Sequence, residues 1–253
     1  MIKFFRNLRQ SHMERGKTSK YLKYAIGEII LVVIGILIAL QINNWNEIRK
    51  TRTTEITFLK NIKADLELNL VSLDEFIISR QEAVKSSKLI IDYFNNPNSI
   101  NLNNFNLHSI NVMVWFPFQQ NDNTYQELLN SGKLSIISNK DIKDQMQNMQ
   151  SSFKTIKFVE NEMQQDFESY LYDPFFSTAD VDVAMRNLDA QTEQRSNIPE
   201  INADQINTLL KSISFKNGFA LAAYNSDLLI TEYSKMKATT NKLIKLIEQE
   251  VGN

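Results

Sequence analysis

Apolar residues first crowd together along this chain and then space themselves out. Ala25 to Ile42 reads AIGEIILVVIGILIALQI, with Glu28 as its one carboxylate. A helix crosses a hydrocarbon core of about 30 Å with roughly 20 apolar residues. Extended to the flanking aromatics Tyr21 and Trp45, the segment rises roughly 36 Å at about 1.5 Å per residue. The pattern therefore predicts a transmembrane helix over 21–45, with Tyr21, Tyr24 and Trp45 as interfacial anchors.

Beyond the span, Asn43 to Phe94 contains neither Pro nor Gly, and its apolar residues recur at alternating spacings of three and four. Ile56, Leu70, Ile77, Val84 and Ile91 hold one heptad position, and Leu59, Leu66, Leu73 and Phe94 the other. Arg49, Arg52, Lys63 and Arg80 interrupt that seam. An imperfect coiled coil and a globular bundle helix both fit it, and Asn95-Asn96-Pro97-Asn98 predicts its end. Asn139 to Leu171 carries a stripe of Ile142, Met146, Met149, Phe153, Ile156, Met163 and Phe167, with Ser138 as expected N-cap and Asp173-Pro174 as terminator. Phe215 to Val251 repeats the pattern with Phe219, Ala222, Leu229, Tyr233, Met236, Leu243 and Ile247. Such stripes are buried most economically against one another.

Shorter pieces lie between the long helices. Phe105 to Phe118 is apolar and aromatic, Asn123 to Gly132 predicts a short helix stopped by its Gly, and Leu134 to Ile137 is expected to extend. Asp173 to Glu200 is polar and irregular, with a short helix expected near Val181–Leu188, and another is expected beyond it at Ala203–Lys211. The expected fold is all-α: one N-terminal transmembrane helix continuing into an elongated periplasmic helical bundle, with coiled-coil-like long helices at about 46–94, 139–171 and 215–251 and a small helical insert. The divisions are 1–20, 21–45 and 46–253.

Charge sets the direction of the span. Lys3, Arg6, Arg9, Arg15, Lys17, Lys20 and Lys23 precede it, against Arg49, Lys50 and Arg52 close behind, which favours a cytoplasmic N-terminus and an inner-membrane, single-pass arrangement. Ile38-Ala39-Leu40-Gln41-Ile42 lacks paired small residues for cleavage, so a signal anchor is expected. The chain has no Cys, which rules out lipidation of a Cys and fits a periplasmic domain. Met1 to Met13 places Met1, Ile2, Phe4, Phe5 and Leu8 on one helical flank and Lys3, Arg6 and Arg9 away from it, as in an interfacial helix, though a disordered basic retention signal fits as well. The net charge of -1 argues against a nucleic-acid binder. With only 6 Gly and 4 Pro, the composition suits long helices.

The inventory of reactive groups is thin. His12 and His108 are the only histidines and fall on opposite expected sides of the membrane, so neither a metal nor a cofactor is expected. Gly16-Lys17-Thr18 lacks the upstream Gly and the preceding strand of a phosphate-binding loop. Glu160, Glu162, Asp166 and Glu168 read as a water-exposed helix face rather than a cation site. With no nucleophile motif in sight, no enzyme and no small-molecule substrate are expected. Trp115, Phe116 and Phe118 flank Pro117 and form either a plug at the bundle end or, if exposed, a partner patch. Glu28, Gly35 and Ala39 share one face of the span, where small residues admit a neighbouring helix and the carboxylate either meets a polar group there or snorkels to the surface. Counted in sevens, Glu28, Gly35, Ile42, Arg49, Ile56, Lys63 and Leu70 keep one register, so a continuous rod is expected.

The run from Tyr24 to Glu47, YAIGEIILVVIGILIALQINNWNE, together with the MIKFFR start and TYQELLNSGKLSIISNK at Thr124 to Lys140, resembles an uncharacterised single-pass membrane family of the Bacteroidota, a domain of unknown function. The resemblance implies an inner-membrane protein with a periplasmic helical domain and supplies no activity, substrate or cofactor. The expected role is a structural or accessory subunit, partnered by the lipid bilayer and by further copies or other envelope membrane proteins. A periplasmic sensory or ligand-binding module acting through a separate partner is the alternative.

Overall fold

The computed structural model describes residues 18–192 and 199–252, with side chains described over 22–188 and 199–252. The expectations for Met1–Met13, His12 and the side chain of Tyr21 fall outside these residues. Most of the described residues are helical and none forms a strand: α1 Thr18–Asn95, α2 Leu102–Met113, α3 Asn123–Asn130, α4 Lys140–Phe167, α5 Asp173–Thr178, α6 Val181–Thr192, α7 Ala203–Leu210 and α8 Ile213–Gly252. The all-α expectation is met. Two compact units divide the chain, Met1–Thr57 and Phe58–Asn253, the boundary falling within α1.

In the first unit, the described residues are the N-terminal part of α1. Its apolar side chains lie outside any core: Leu31 is 70% exposed, Ile29 62% and Leu37 58%. Among the described residues, α1 is the one helix long and apolar enough to cross a membrane, with a mean hydropathy of 2.6 in its apolar window. Left in water, that much apolar surface would cost roughly 25 cal/mol per Å². Trp45 is exposed as well, with the Arg49 guanidinium 5.8 Å from its ring centroid.

The second unit is a helical bundle whose core is built from α1 beyond Phe58, α4 and α8. Leu59, Leu66 and Leu73 of α1 are buried, whereas Leu70, Ile77 and Ile91 are only half covered. On α4, Ile142, Met146, Met149, Ile156, Met163 and Phe167 are buried and Phe153 partly so; on α8 every expected stripe residue from Phe219 to Ile247 is buried. Each such apolar side chain contributes about 1.5–3 kcal/mol on leaving water, before the entropy of ordering the chain is charged against it.

Several boundaries differ from expectation. The cap of α4 is Asn139, whose Oδ1 accepts from Ile142 N at 3.2 Å, one residue after Ser138. Gly132 stops α3 in a left-handed conformation, φ 68°, as the sequence suggested. The next residues, Lys133–Ile136, form a 3₁₀ turn rather than an extended segment, since no strand is present among the described residues to pair with one. Asp173-Pro174 does not terminate the helical path either. A π turn at Glu168–Tyr172 follows α4, with Asp173 N donating to Glu168 O, and Pro174 falls in the first turn of α5, where its missing N–H costs nothing.

That wide turn brings α8 unusually close. A Cβ at Gly218 would lie 2.6 Å from Leu171 Cδ2 and 2.8 Å from Tyr170 O. Replacing Gly by Ala inside a helix ordinarily gains up to about 1 kcal/mol, but here it meets backbone, and overpacking costs about 1–3 kcal/mol. Gly218→Ala should therefore lower the bundle's stability by about 1–2 kcal/mol in urea unfolding. An unchanged or raised midpoint would contradict the close approach.

Candidate functional site

The chain between α2 and α3 has no regular structure and lies as a strap over the bundle. Its two ends are fixed by different chemistry. At the first, Trp115 Nε1 donates to Tyr172 Oη at 3.1 Å, and that hydroxyl donates to Met113 O at 2.7 Å. At the second, the Asn69 side chain pairs both ways with the backbone of Asn121, accepting from its N–H at 2.7 Å and donating to its carbonyl at 2.8 Å. Asp65 then accepts from Thr124 N at 3.0 Å, capping α3 from another helix.

Between the ends, Phe118 drives into the core with no exposure. Its ring meets Phe76 edge-on at 5.5 Å, Phe153 at 6.1 Å and Tyr233 at 5.9 Å. The backbone N–H of Phe118 follows the ring inward and needs an acceptor. Glu160 supplies it: Oε1 accepts from Phe118 N at 2.7 Å and from Tyr233 Oη at 2.9 Å, while Oε2 accepts from Lys157 Nζ at 2.8 Å. Burial, followed by the charge of Glu160 and its hydrogen bond, raises the Tyr233 pKa, so the phenol stays protonated and donates.

Arg80 of α1 lies in the same region and is 2% exposed. Its guanidinium is 6.0 Å from the Trp115 ring centroid, and Nη1 lies 3.6 Å from Met163 Sδ. Nε has no hydrogen-bond partner. Desolvation lowers the Arg80 pKa, and the nearby Tyr233, Glu160 and Tyr172 act against it. An arginine keeps its charge through such a shift. The result is a buried cation held by an aromatic face, a sulfur and the field of a carboxylate.

The expected site residues separate. Phe118 cannot belong to a surface patch, because it is the plug of the core; Trp115 is half-buried, and Phe116 alone of the three is prominent, at 73% exposure. The acidic face on α4 also needs correction. Glu160 is buried and Asp166 accepts from Asn225 Nδ2 at 2.8 Å, which leaves Glu162 and Glu168 as its exposed members. Glu28, Gly35 and Ala39 remain together along the exposed helix of the first unit, and a Cβ at Gly35 would meet nothing within 4 Å. His108 is half-buried with Nδ1 3.1 Å from Ser86 Oγ. Glu160 and Arg80 are the residues that periodicity should have flagged, since Ile156, Glu160, Met163 and Phe167 form one stripe and Arg80 sits on the seam of α1.

Two small crevices lie among the described residues of the bundle. The crevice lined by Asp65, Asn121, Asp122, Tyr125 and Gln150, among others, and a second one at Asn106, Asp180, Asn202 and Gln205 each enclose about 10 Å³, room for one water at most. A small-molecule site occupies about 300 Å³ or more. Among the described residues, no group of His, Asp and Glu side chains is gathered as a metal would require.

A model of a family of unknown function, DUF6090, matches residues 28–170, more than half of the chain. The chain belongs to that family. The match takes in the apolar span from Glu28 onward, the strap, Arg80 and Glu160, and leaves out α8 with Tyr233. Neither a curated protein nor a solved structure matches the chain.

Removing Glu160 strands donors inside the core. Glu160→Ala should cost about 3–5 kcal/mol, because a buried charge partner and its hydrogen bonds go together. Arg80→Met should change stability by less than about 1 kcal/mol, since an apolar side chain of similar length avoids the desolvation of an incompletely bonded cation. Urea unfolding of both variants checks the pair; equal losses would mean that Arg80, too, is an essential partner.

The pKa of His108 lies below its ordinary value of 6.5, chiefly through burial and against the opposing charge of Glu82. The unfolded chain then binds this proton more readily than the folded one. The contribution of His108 to stability is complete above about 6.5 and is lost as pH falls through the folded-state value. His108→Gln should flatten the fall in unfolding free energy as pH drops below about 6.5; an unaltered slope would remove His108 from the acid response.

Proposed function

We infer that this chain is a single-pass inner-membrane protein with a cytoplasmic N-terminus and a periplasmic bundle, serving as a structural or accessory subunit of an envelope complex. The observation that carries this reading is the contrast between outside and inside. The chain presents an apolar span with its side chains uncovered, while the two crevices among the described residues of its bundle each have room for a single water. Recognition by surfaces suits that build better than recognition of a small molecule, and better than catalysis. The basic excess ahead of the span supports the orientation, and the motif from Tyr24 to Glu47 supports a Bacteroidota-type envelope as its setting.

The bilayer is the first partner. Trp45, with Arg49 beside it, and Tyr24 have the chemistry of interfacial anchors. The open face at Gly35 and Ala39 suits close approach by a second helix, from another copy or from another membrane protein.

The reading is tested by solubilising the full chain in mild detergent and measuring its mass by light scattering alongside pull-down from native membranes. Association is expected; a strict monomer with no co-purifying membrane protein overturns it. Joint Gly35→Leu and Ala39→Leu substitution should weaken association several-fold in a membrane helix-association assay. A reporter fused after Val251 should read as periplasmic, and a cytoplasmic signal would reverse the topology.

A further inference from the structure

The long helix α1 carries a second apolar line on the side turned away from the core. Leu68, Val71 and Ile78 are 57%, 60% and 60% exposed. Their spacing is that of a helical seam in which Glu75 and Glu82 hold the intervening positions and Lys85 the next, all three exposed. The borders are acidic as well, with Glu67 and Asp74 exposed beside the line. From Ala64 to Val84 the only cation in the sequence is Arg80, which is buried. Between Ala64 and Val84 the helix therefore combines uncovered apolar side chains with four exposed acids, Glu67, Asp74, Glu75 and Glu82, and no exposed cation of its own.

Nearby lysines answer some of that charge: Lys63 lies 3.5 Å from Glu67, Lys85 lies 2.6 Å from Glu82, and Lys237 pairs with Asp74. These are exposed pairs on flexible side chains, which a better-placed cation displaces at little cost. Glu75, in the middle of the seam, has no ion pair with a described residue.

We propose that the Leu68–Val71–Glu75–Ile78–Glu82 face of α1 docks a basic amphipathic helix of another envelope protein. Apolar residues of that helix cover Leu68, Val71 and Ile78, and its Lys or Arg residues meet Glu75 and Glu82. Charge selects this occupant over the two obvious competitors. A second copy lying parallel in register sets Glu75 against Glu75 and Glu82 against Glu82, which opposes pairing. An anionic lipid surface is repelled by the same residues. The proposal rests on the reading of the chain as an interaction protein and names the partner's chemistry.

The test uses the full chain in its native membrane. A photo-crosslinking amino acid is placed singly at Val71, Ile78, Phe116 and Lys154, the last two being exposed positions elsewhere on the bundle. Expected are adducts from Val71 and Ile78 whose cross-linked segment, identified by mass spectrometry, is a helix of a different protein carrying Lys or Arg at seam spacing. Joint Glu75→Lys and Glu82→Lys substitution should cut their yield about tenfold, with unchanged thermal unfolding showing that the bundle is intact. An adduct of twice the chain's mass at these positions overturns the proposal in favour of self-association, and a yield indifferent to the charge reversal overturns it as well. Adducts from Phe116 but not from Val71 or Ile78 sink this face while the interaction reading stands. Absence of adducts from all four positions, together with monomeric behaviour in detergent, defeats both.

Discussion

Glu160 accepts hydrogen bonds from Phe118 N, Tyr233 Oη and Lys157 Nζ, so the strap, α8 and α4 meet at one buried carboxylate. Hydrogen bonds to a charged group contribute about 1.5–3 kcal/mol each, and taking a carboxylate out of water costs several. What the cluster supplies is position: the Phe118 ring can enter the core only where its own N–H finds an acceptor, and that acceptor stands on the same α4 stripe as Ile156 and Met163. The aromatic contacts of Phe118 with Phe76, Phe153 and Tyr233 follow from that placement.

Arg80 extends the same logic to α1. A guanidinium with an unbonded Nε is a costly core residue, and aliphatic side chains fill the neighbouring turns. The field of Glu160 and the face of Trp115 moderate the cost without forming a direct ion pair. Trp115 is itself fixed through Tyr172, which belongs to the π turn. The wide turn thus serves two contacts at once: it presents Tyr172 to the strap and opens the groove into which α8 brings Gly218. A regular helical turn there would rotate every following side chain and undo both.

Local pattern and tertiary demand divide what was readable in the chain. The α8 stripe from Phe219 to Ile247 and the span from Ala25 to Ile42 each repeat one rule over many turns, so periodicity alone marked them. Gly132 was readable because a left-handed stop needs that residue type. Glu160 was misread because charge within Glu160–Glu168 suggested water, while its place on the apolar stripe said core; the deciding fact is a donor on Phe118, distant in sequence. Trp115, Phe116 and Phe118 look alike in sequence, yet only Phe118 enters the core, where its N–H meets Glu160, while Phe116 stays out. Asp173-Pro174 was read as a stop, whereas Pro174 falls in the first turn of α5, because the π turn before it has no sequence signature comparable to a cap.

These features bear on how such a chain can work. The core spends polar groups on fixing a strap and a wide turn, and each of the two crevices among its described residues has room for one water at most. The outer faces of the helices are where sequence is least constrained by packing. On α1 the contrast is sharpest, since one helix gives the core Leu59, Leu66 and Leu73 and turns Leu68, Val71 and Ile78 away from it. Burial against the bundle requires only the first set. Keeping the second apolar costs solubility without adding to the core, which is the physical reason to read that face as a surface meant to be covered.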